Sequence, residues 1–159
     1  MVRYYFLIKE LVMHKVILVP IDLNHNYLTD KVISEINEFS ANKSTHFYFL
    51  TVISPAEKYN EYGVGYPMIT EDTKFEDETS EAIEKELKEV VSKFGIPDNR
   101  VSLLVKIGSA ADIIIDVSQQ IKADLIIIGS RNPSFKTHIL GSTASSLAHY
   151  AKTSVFIVR

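Results

Sequence analysis

The chain has 159 residues, 46% hydrophobic and 23% charged, a length and balance that suit one globular domain with a sizeable core. Lys and Arg number 17 against 20 Asp and Glu, and the net charge of −3 gives no general attraction to nucleic acid or to an anionic membrane surface. Cysteine is absent, which excludes disulfide scaffolds, thiolate nucleophiles and Cys-based zinc sites, and no apolar run approaches the ~18 residues of a spanning helix. These features predict a cytoplasmic protein with no stable membrane insertion.

Residues 1–12 read MVRYYFLIKELV, and Met13 follows. No small-residue cleavage site comes after them, so they are not read as a signal peptide. Three alternatives stand: an added element covering apolar surface, a weak membrane-surface anchor, or an upstream start ahead of a natural start at Met13. The domain is therefore expected at 13–159, with 1–12 as an extension.

Lys15 to Pro20 is a short β-branched run, as in a strand buried on both faces. Asn26 is a good helix cap, and Leu28, Val32, Ile33, Ile36 and Phe39 follow at helical spacing. Phe47 to Val52 is the second predicted strand. A loop rich in Tyr, Gly and Pro runs from Ser54 to Pro67. A long acidic helix comes next, with Ile83, Leu87, Val90, Val91 and Phe94 on one face and Gly95 and Pro97 as its stop. Val101 to Ile107 is the third strand. Ser109 then caps a helix in a capping-box-like pair with Asp112, and Ile113, Ile114, Val117 and Ile121 form its buried face. Asp124 to Ile128 is the fourth strand. Ser142 to Tyr150 is a short helix whose small residues Ala144, Ala148 and Ala151 permit close packing, and Ser154 to Val158 is the last strand.

Strands alternating with helices predict an α/β fold of three layers, a parallel five-stranded sheet with helices on both faces. In such sheets ligands bind beyond the carboxyl ends of the strands, where the strand order reverses. Asp22 ends strand one, Val52 strand two, Gly108-Ser109 strand three and Gly129-Ser130-Arg131 strand four. Gly129 and Gly141 bracket the 130–140 loop and let backbone approach a ligand closely. Ser142 and Thr143 present hydroxyls and N–H groups at a helix N-terminus, where the helix dipole favours phosphate. The loop itself holds Arg131, Lys136 and His138 and no acid. Those residues suit an anion site; they also suit an ordinary β-α turn with solvated charges. Asp22 suits a hydrogen bond from a ribose hydroxyl or base amino group, indirect support of Mg²⁺ through water, or a simple loop cap.

Neither G-x-x-x-x-G-K-[ST] nor G-x-G-x-x-G occurs, so P-loop and dinucleotide fingerprints are absent. The five histidines (14, 25, 46, 138 and 149) lack metal-ligand spacing, with His138 alone placed to contact phosphate. Tyr59, Tyr62 and Tyr66, with Gly63 and Gly65, suit a loop folding over a ligand, a contact with a second subunit, or a plain solvent loop. The acid-rich stretch Glu71 to Glu89 reads as a solvated helix face.

Three motifs in order, KVILVPID, Gly129-Ser-Arg-Asn-Pro followed after seven residues by Gly141-Ser142, and the closing SVFIVR, resemble the universal stress protein family over residues 13–159. The likeness is greatest to its small bacterial F and G-type members. It implies strand order 3-2-1-4-5, a homodimer and, as in many members, ATP bound through G-x2-G-x9-G-[ST]. Carried over, Gly129, Gly141 and Ser142 match that motif, with Thr143 and Arg131 alongside. Ile128 borders the nucleotide, Pro20 and Asp22 lie near adenine and ribose, and Val52 packs against the base. This chain departs from the motif in having Asn132 at the second glycine, Pro133 after it, and a spacer of eight residues. The choice among ATP, ADP and AMP stays open on that account. The resemblance also implies Mg²⁺ with the nucleotide, and pairing of Ser154, Val155, Phe156, Ile157 and Val158 with the same strand of a second copy. An unidentified protein partner is expected. With no nucleophile–base pair in the sequence, ATP hydrolysis or self-phosphorylation is expected to be slow at most. The alternatives are a nucleotide-free dimeric interaction module and an enzyme of adenylate chemistry, whose extra signatures the chain lacks.

Overall fold

A computed structural model describes residues 15–24, 26–54, 73–130 and 140–158, with backbone alone for 26–28 and 73–79. Its strands are β1 (Val16–Pro20), β2 (His46–Ile53), β3 (Val101–Ile107), β4 (Leu125–Gly129) and β5 (Ser154–Val158). Its helices are α1 (Asn26–Ser40), α2 (Thr73–Ser92), α3 (Ala110–Gln120) and α4 (Ser142–Tyr150), with a 3-10 turn at Asp98–Arg100. All four strand pairings are parallel, in the order β3-β2-β1-β4-β5. The three-layer α/β fold and strand order expected from sequence are both present.

Each strand alternates between two cores. Ile17 and Val19 of β1, Phe47 and Phe49 of β2, and Leu125 and Ile127 of β4 pack with Val32 and Ile36 of α1 and Leu87 and Val90 of α2. On the opposite face Leu18, Leu50, Ile126 and Ile128 pack with Ile114 and Val117 of α3 and Ala144 and Leu147 of α4. Both faces of the central strands are thus buried, which is why they read as continuous apolar runs. Burial of each such Leu, Ile or Phe side chain is worth roughly 1.5–3 kcal/mol.

Several local expectations shift. Asn26 is the first helical residue of α1 rather than its cap. Ser109 does hold the N-cap position of α3, yet its side chain makes no capping hydrogen bond, and the capping box with Asp112 is not formed. The buried face of α4 is Ala144 and Leu147, while Ala148 is exposed, so a leucine and not a stripe of alanines seats this helix. The α2 face is as expected, with Ile83, Leu87, Val90, Val91 and Phe94 all buried. Gly95, at φ 64°, supplies the left-handed turn after it. Residues 1–12 and the Tyr59–Tyr66 loop lie outside the described residues.

The N-terminal ends of the strands are tied by side chains. Lys15 and Val16 donate their backbone N–H groups to Asp124 Oδ2 at 2.8 and 2.9 Å, joining β1 to β4. Arg100 Nη1 donates to the carbonyls of Ser40 and Asn42 at 3.1 and 2.8 Å, joining the start of β3 to the turn after α1. His46 Nε2 and Ser102 Oγ are 2.9 Å apart across β2 and β3.

Candidate functional site

Order reverses between β1 and its two neighbours, since β1 leads on through α1 to β2 while β4 lies on its other side. A cavity of about 510 Å³ opens at that point, beyond the carboxyl ends of β1, β2 and β4. Its size is typical of small-molecule sites, which run from ~300 to 1,000 Å³.

The strand ladders bring the lining residues to one level. Pro20 stands beside Leu50 in the β1–β2 register, and the Ile21 N–H donates to the Leu50 carbonyl at 2.8 Å. Val52 follows on β2 and Gly129 closes β4. Neighbouring strands are ~4.8 Å apart, so Val52, Asp22 and Gly129 stand in a row across three strand ends. Asp22 Oδ1 accepts the Asn24 N–H at 3.1 Å, a short turn that holds the carboxylate at the cavity.

Helix α4 brings its N-terminus to the β4 side of the cavity. Gly141 is the N-cap, at φ −59°, and having no side chain it makes no capping hydrogen bond. The first bond of the helix ladder runs from the Ser145 N–H to the Gly141 carbonyl at 2.8 Å. The N–H groups of Ser142, Thr143 and Ala144 precede that ladder and have no helical acceptor, the usual state of a helix's first turn. All three residues, and Gly141, line the cavity. Positive dipole, backbone donors and the lack of a Cβ at Gly141 make this wall fit an oxyanion.

Of the residues expected from sequence to form the site, Pro20, Asp22, Val52, Ile128, Gly129, Gly141, Ser142 and Thr143 line this one cavity. Arg131, Asn132, Lys136 and His138 lie outside the described residues. Among those described, no group of three or more His, Cys, Asp or Glu residues could hold a metal ion. Asp22 is thus a single carboxylate, suited to Mg²⁺ only where phosphate and water complete the octahedron.

Sequence reasoning missed part of the lining. Thr29 and Val32 of α1, Thr51 of β2, Ile83 and Glu86 of α2, and Ala110 at the start of α3 line the cavity, as does Gly108, which the sequence placed at the ligand end of β3 without assigning it to the site. Two signals were available. Thr51 alternates in phase with Phe47 and Phe49, and Thr29 sits three residues before Val32, so each is a polar residue in a core position. Gly108, at φ 149°, has a conformation that side chains rarely adopt, and a Cβ there would come within 3.2 Å of Ile113.

The chain matches known proteins over nearly its whole length. The universal stress protein family model covers residues 13–159. Universal stress protein G of Salmonella typhimurium is 32% identical over 147 residues, spanning 92% of this chain and 100% of that protein. Among solved structures, hypothetical protein MJ0577 superposes with a TM-score of 0.70 at 19% identity, covering 92% of this chain and 96% of its own. A universal stress protein in complex with cAMP superposes with a TM-score of 0.60 at 20% identity, covering 92% and 98%. No helix among the described residues is long and apolar enough to cross a membrane. Fold, full-length family match and sequence identity agree that the chain belongs to the universal stress protein family, proteins of the stress response.

Proposed function

We propose that this protein binds an adenine nucleotide, ATP in the first instance, across the ends of β2, β1 and β4, and acts in stress response by binding rather than by dedicated catalysis. The observation that carries this is the row of wall chemistries: apolar Val52 at the end of β2, then Asp22 after β1, then Ile128 and Gly129 of β4 with the N-terminus of α4 beside them. A base, a sugar and a phosphate chain present the matching sequence of chemistries in the same order. The solved relative in complex with cAMP supports a nucleotide as the ligand class.

In this arrangement Pro20 and Val52 hold the base by apolar contact, and Ile128 borders the nucleotide. Asp22 accepts from a sugar hydroxyl, and Gly129, Gly141, Ser142 and Thr143 receive phosphate through backbone and hydroxyl donors. Arg131 and Asn132 are assigned to the phosphates from sequence alone. Mg²⁺ bound with the nucleotide would lower the phosphate charge, and Asp22 would hold it through water. The absence of lysine, arginine and histidine among the described lining residues makes the backbone donors of α4 the main attraction for phosphate there.

A homodimer through Ser154 to Val158 belongs to the same proposal. Among the described residues β5 pairs on one side only, and Phe156 on it is 38% exposed beside Phe39, with ring centroids 6.2 Å apart. Such an edge is a pairing hazard unless covered. Light scattering at micromolar concentration should give twice the chain mass; a monomer there refutes the dimer.

The nucleotide is tested by denaturing the purified protein and weighing what it releases, then by thermal shift with ATP, ADP and AMP, with and without Mg²⁺. A ligand at 100 times its Kd adds roughly 2.7 kcal/mol of stability. No released nucleotide and no shift at millimolar ATP would leave the interaction module as the function.

A further inference from the structure

Among the described residues three large apolar side chains stand exposed: Ile107, Tyr150 and Phe156. Phe156 sits where helix cover runs out. Strands lie ~4.8 Å apart and packed helices 8–10 Å apart, so two helices cover the width of roughly four strands, and this sheet has a fifth. On the α1–α2 face, α2 packs on β3, while α1 packs on β4 and reaches β5. Phe39 of α1 touches Phe156, with ring centroids 6.2 Å apart, yet Phe156 stays 38% exposed. The opposite face of β5 is seated, with Val155 and Ile157 packed against the α3–α4 core.

Residues 1–12 stand ahead of the stretch that the family model matches, and 147 residues of this chain span the whole of universal stress protein G. Read at helical spacing, Tyr4, Leu7, Ile8 and Leu11 fall at i, i+3, i+4 and i+7, an apolar stripe with Arg3, Lys9 and Glu10 off it. A helix this short is marginal alone in water and needs a face to pack on. Phe156 is within reach. The pairs Ile17–Leu125 and Ile127–Phe156 put it two strands across and three residues along from Val16, about 14 Å by strand spacing and rise. Residues 13–15 extend up to ~10 Å, and nine helical residues at 4–12 are ~14 Å long. Ile107 lies at the far end of β3, and Tyr150 ends α4 on the opposite face of the sheet. Charge agrees as well: Glu35 and Glu38 flank Phe39 on α1, and the segment carries Arg3 and Lys9 against Glu10 alone.

We propose that residues 4–12 form a helix that packs beside α1 and over β5, closing the Tyr4, Leu7, Ile8 and Leu11 stripe on Phe39 and Phe156 of the same chain. It would lead into β1 as α1 to α4 each lead into the strand that follows them. The contact takes a face of β5 and leaves its backbone edge free for the pairing proposed above.

The chain has no cysteine, so Ser154→Cys accepts a single nitroxide, on an exposed residue two before Phe156 and on the same face of β5. In NMR spectra of the full chain the nitroxide should broaden away the amide signals of Tyr4 to Val12. Phe156→Ser should restore them with the rest of the spectrum unchanged. Ile8→Asp, which lies outside the family domain and leaves its core intact, should do the same. Signals that the nitroxide leaves sharp overturn the proposal, and so does broadening that survives either variant. Mixing isotope-labelled chain without nitroxide and unlabelled chain carrying it should leave the signals most of their intensity. Broadening as complete in that mixture as within one chain assigns the contact to a second copy and overturns docking in the same chain.

Discussion

At the N-terminal end of the sheet, side chains take up backbone groups: Asp124 holds the start of β1, and Arg100 holds two carbonyls of the α1–β2 turn. At the C-terminal end the N-cap residues of α3 and α4, Ser109 and Gly141, make no side-chain capping bond, and the described wall there combines Gly129, Gly141, Ser142 and Thr143 with apolar Ala110, Ile114 and Ile128. A side-chain cap contributes about 1 kcal/mol to a helix, so two N-cap residues without that bond forgo stability at the end where a ligand can supply the missing acceptors. Among the described residues, side chains tie one end of the sheet, while at the other the first N–H groups of α4 have no helical acceptor.

The sharpest break of that contrast is Gly141→Arg. Gly141 has an ordinary φ of −59°, so the substitution introduces no backbone strain. Its side chain fills the approach to α4, and thermal shift by nucleotide should vanish, a loss of roughly 2.7 kcal/mol at 100 times Kd. The melting temperature without ligand should stay near that of the wild type. The converse is Arg100→Ala, at the stable end. Two charge-assisted bonds from a half-buried guanidinium are lost, and urea unfolding should report about 2 kcal/mol of destabilisation with nucleotide affinity unchanged. Two glycines refine the comparison. Gly108→Ala, at the ligand end, adds left-handed strain and a 3.2 Å clash with Ile113, so it should cost about 2 kcal/mol and also weaken binding. Gly95→Ala, after α2, meets nothing within 4 Å and should cost about 1 kcal/mol from strain alone. Equal costs at the two would mean that the contact with Ile113 carries no weight.

The scaffold was legible because its signals are repetitive: buried parallel strands are unbroken apolar runs, and α2 carries its core face at regular spacing. Eight lining residues were legible because they end strands or open a helix, where topology alone says that ligands bind. Thr29, Thr51 and Glu86 were not, since their meaning depends on which face of a helix or strand borders the cavity. Glu86 in particular hides in an acid-rich helix, where Glu81, Glu84 and Glu89 are equally exposed. The capping box at Ser109 and the alanine stripe of α4 misled for a related reason. A local pattern permits a contact, but the surroundings decide whether the hydroxyl turns inward or whether Leu147 takes the buried seat.

The clamp at Asp124 also sets an order of events during synthesis. Val16 and Asp124 are 108 residues apart, and at ~5–20 residues per second the ribosome needs roughly 5–20 s to make the second after the first. Through that interval β1 can pair with β2, but its other edge has no partner from its own chain. The strand destined for the centre of the sheet is, for those seconds, an apolar edge strand on a nascent chain. That is when misassociation between copies is most favoured and when a holding chaperone would have the most to bind.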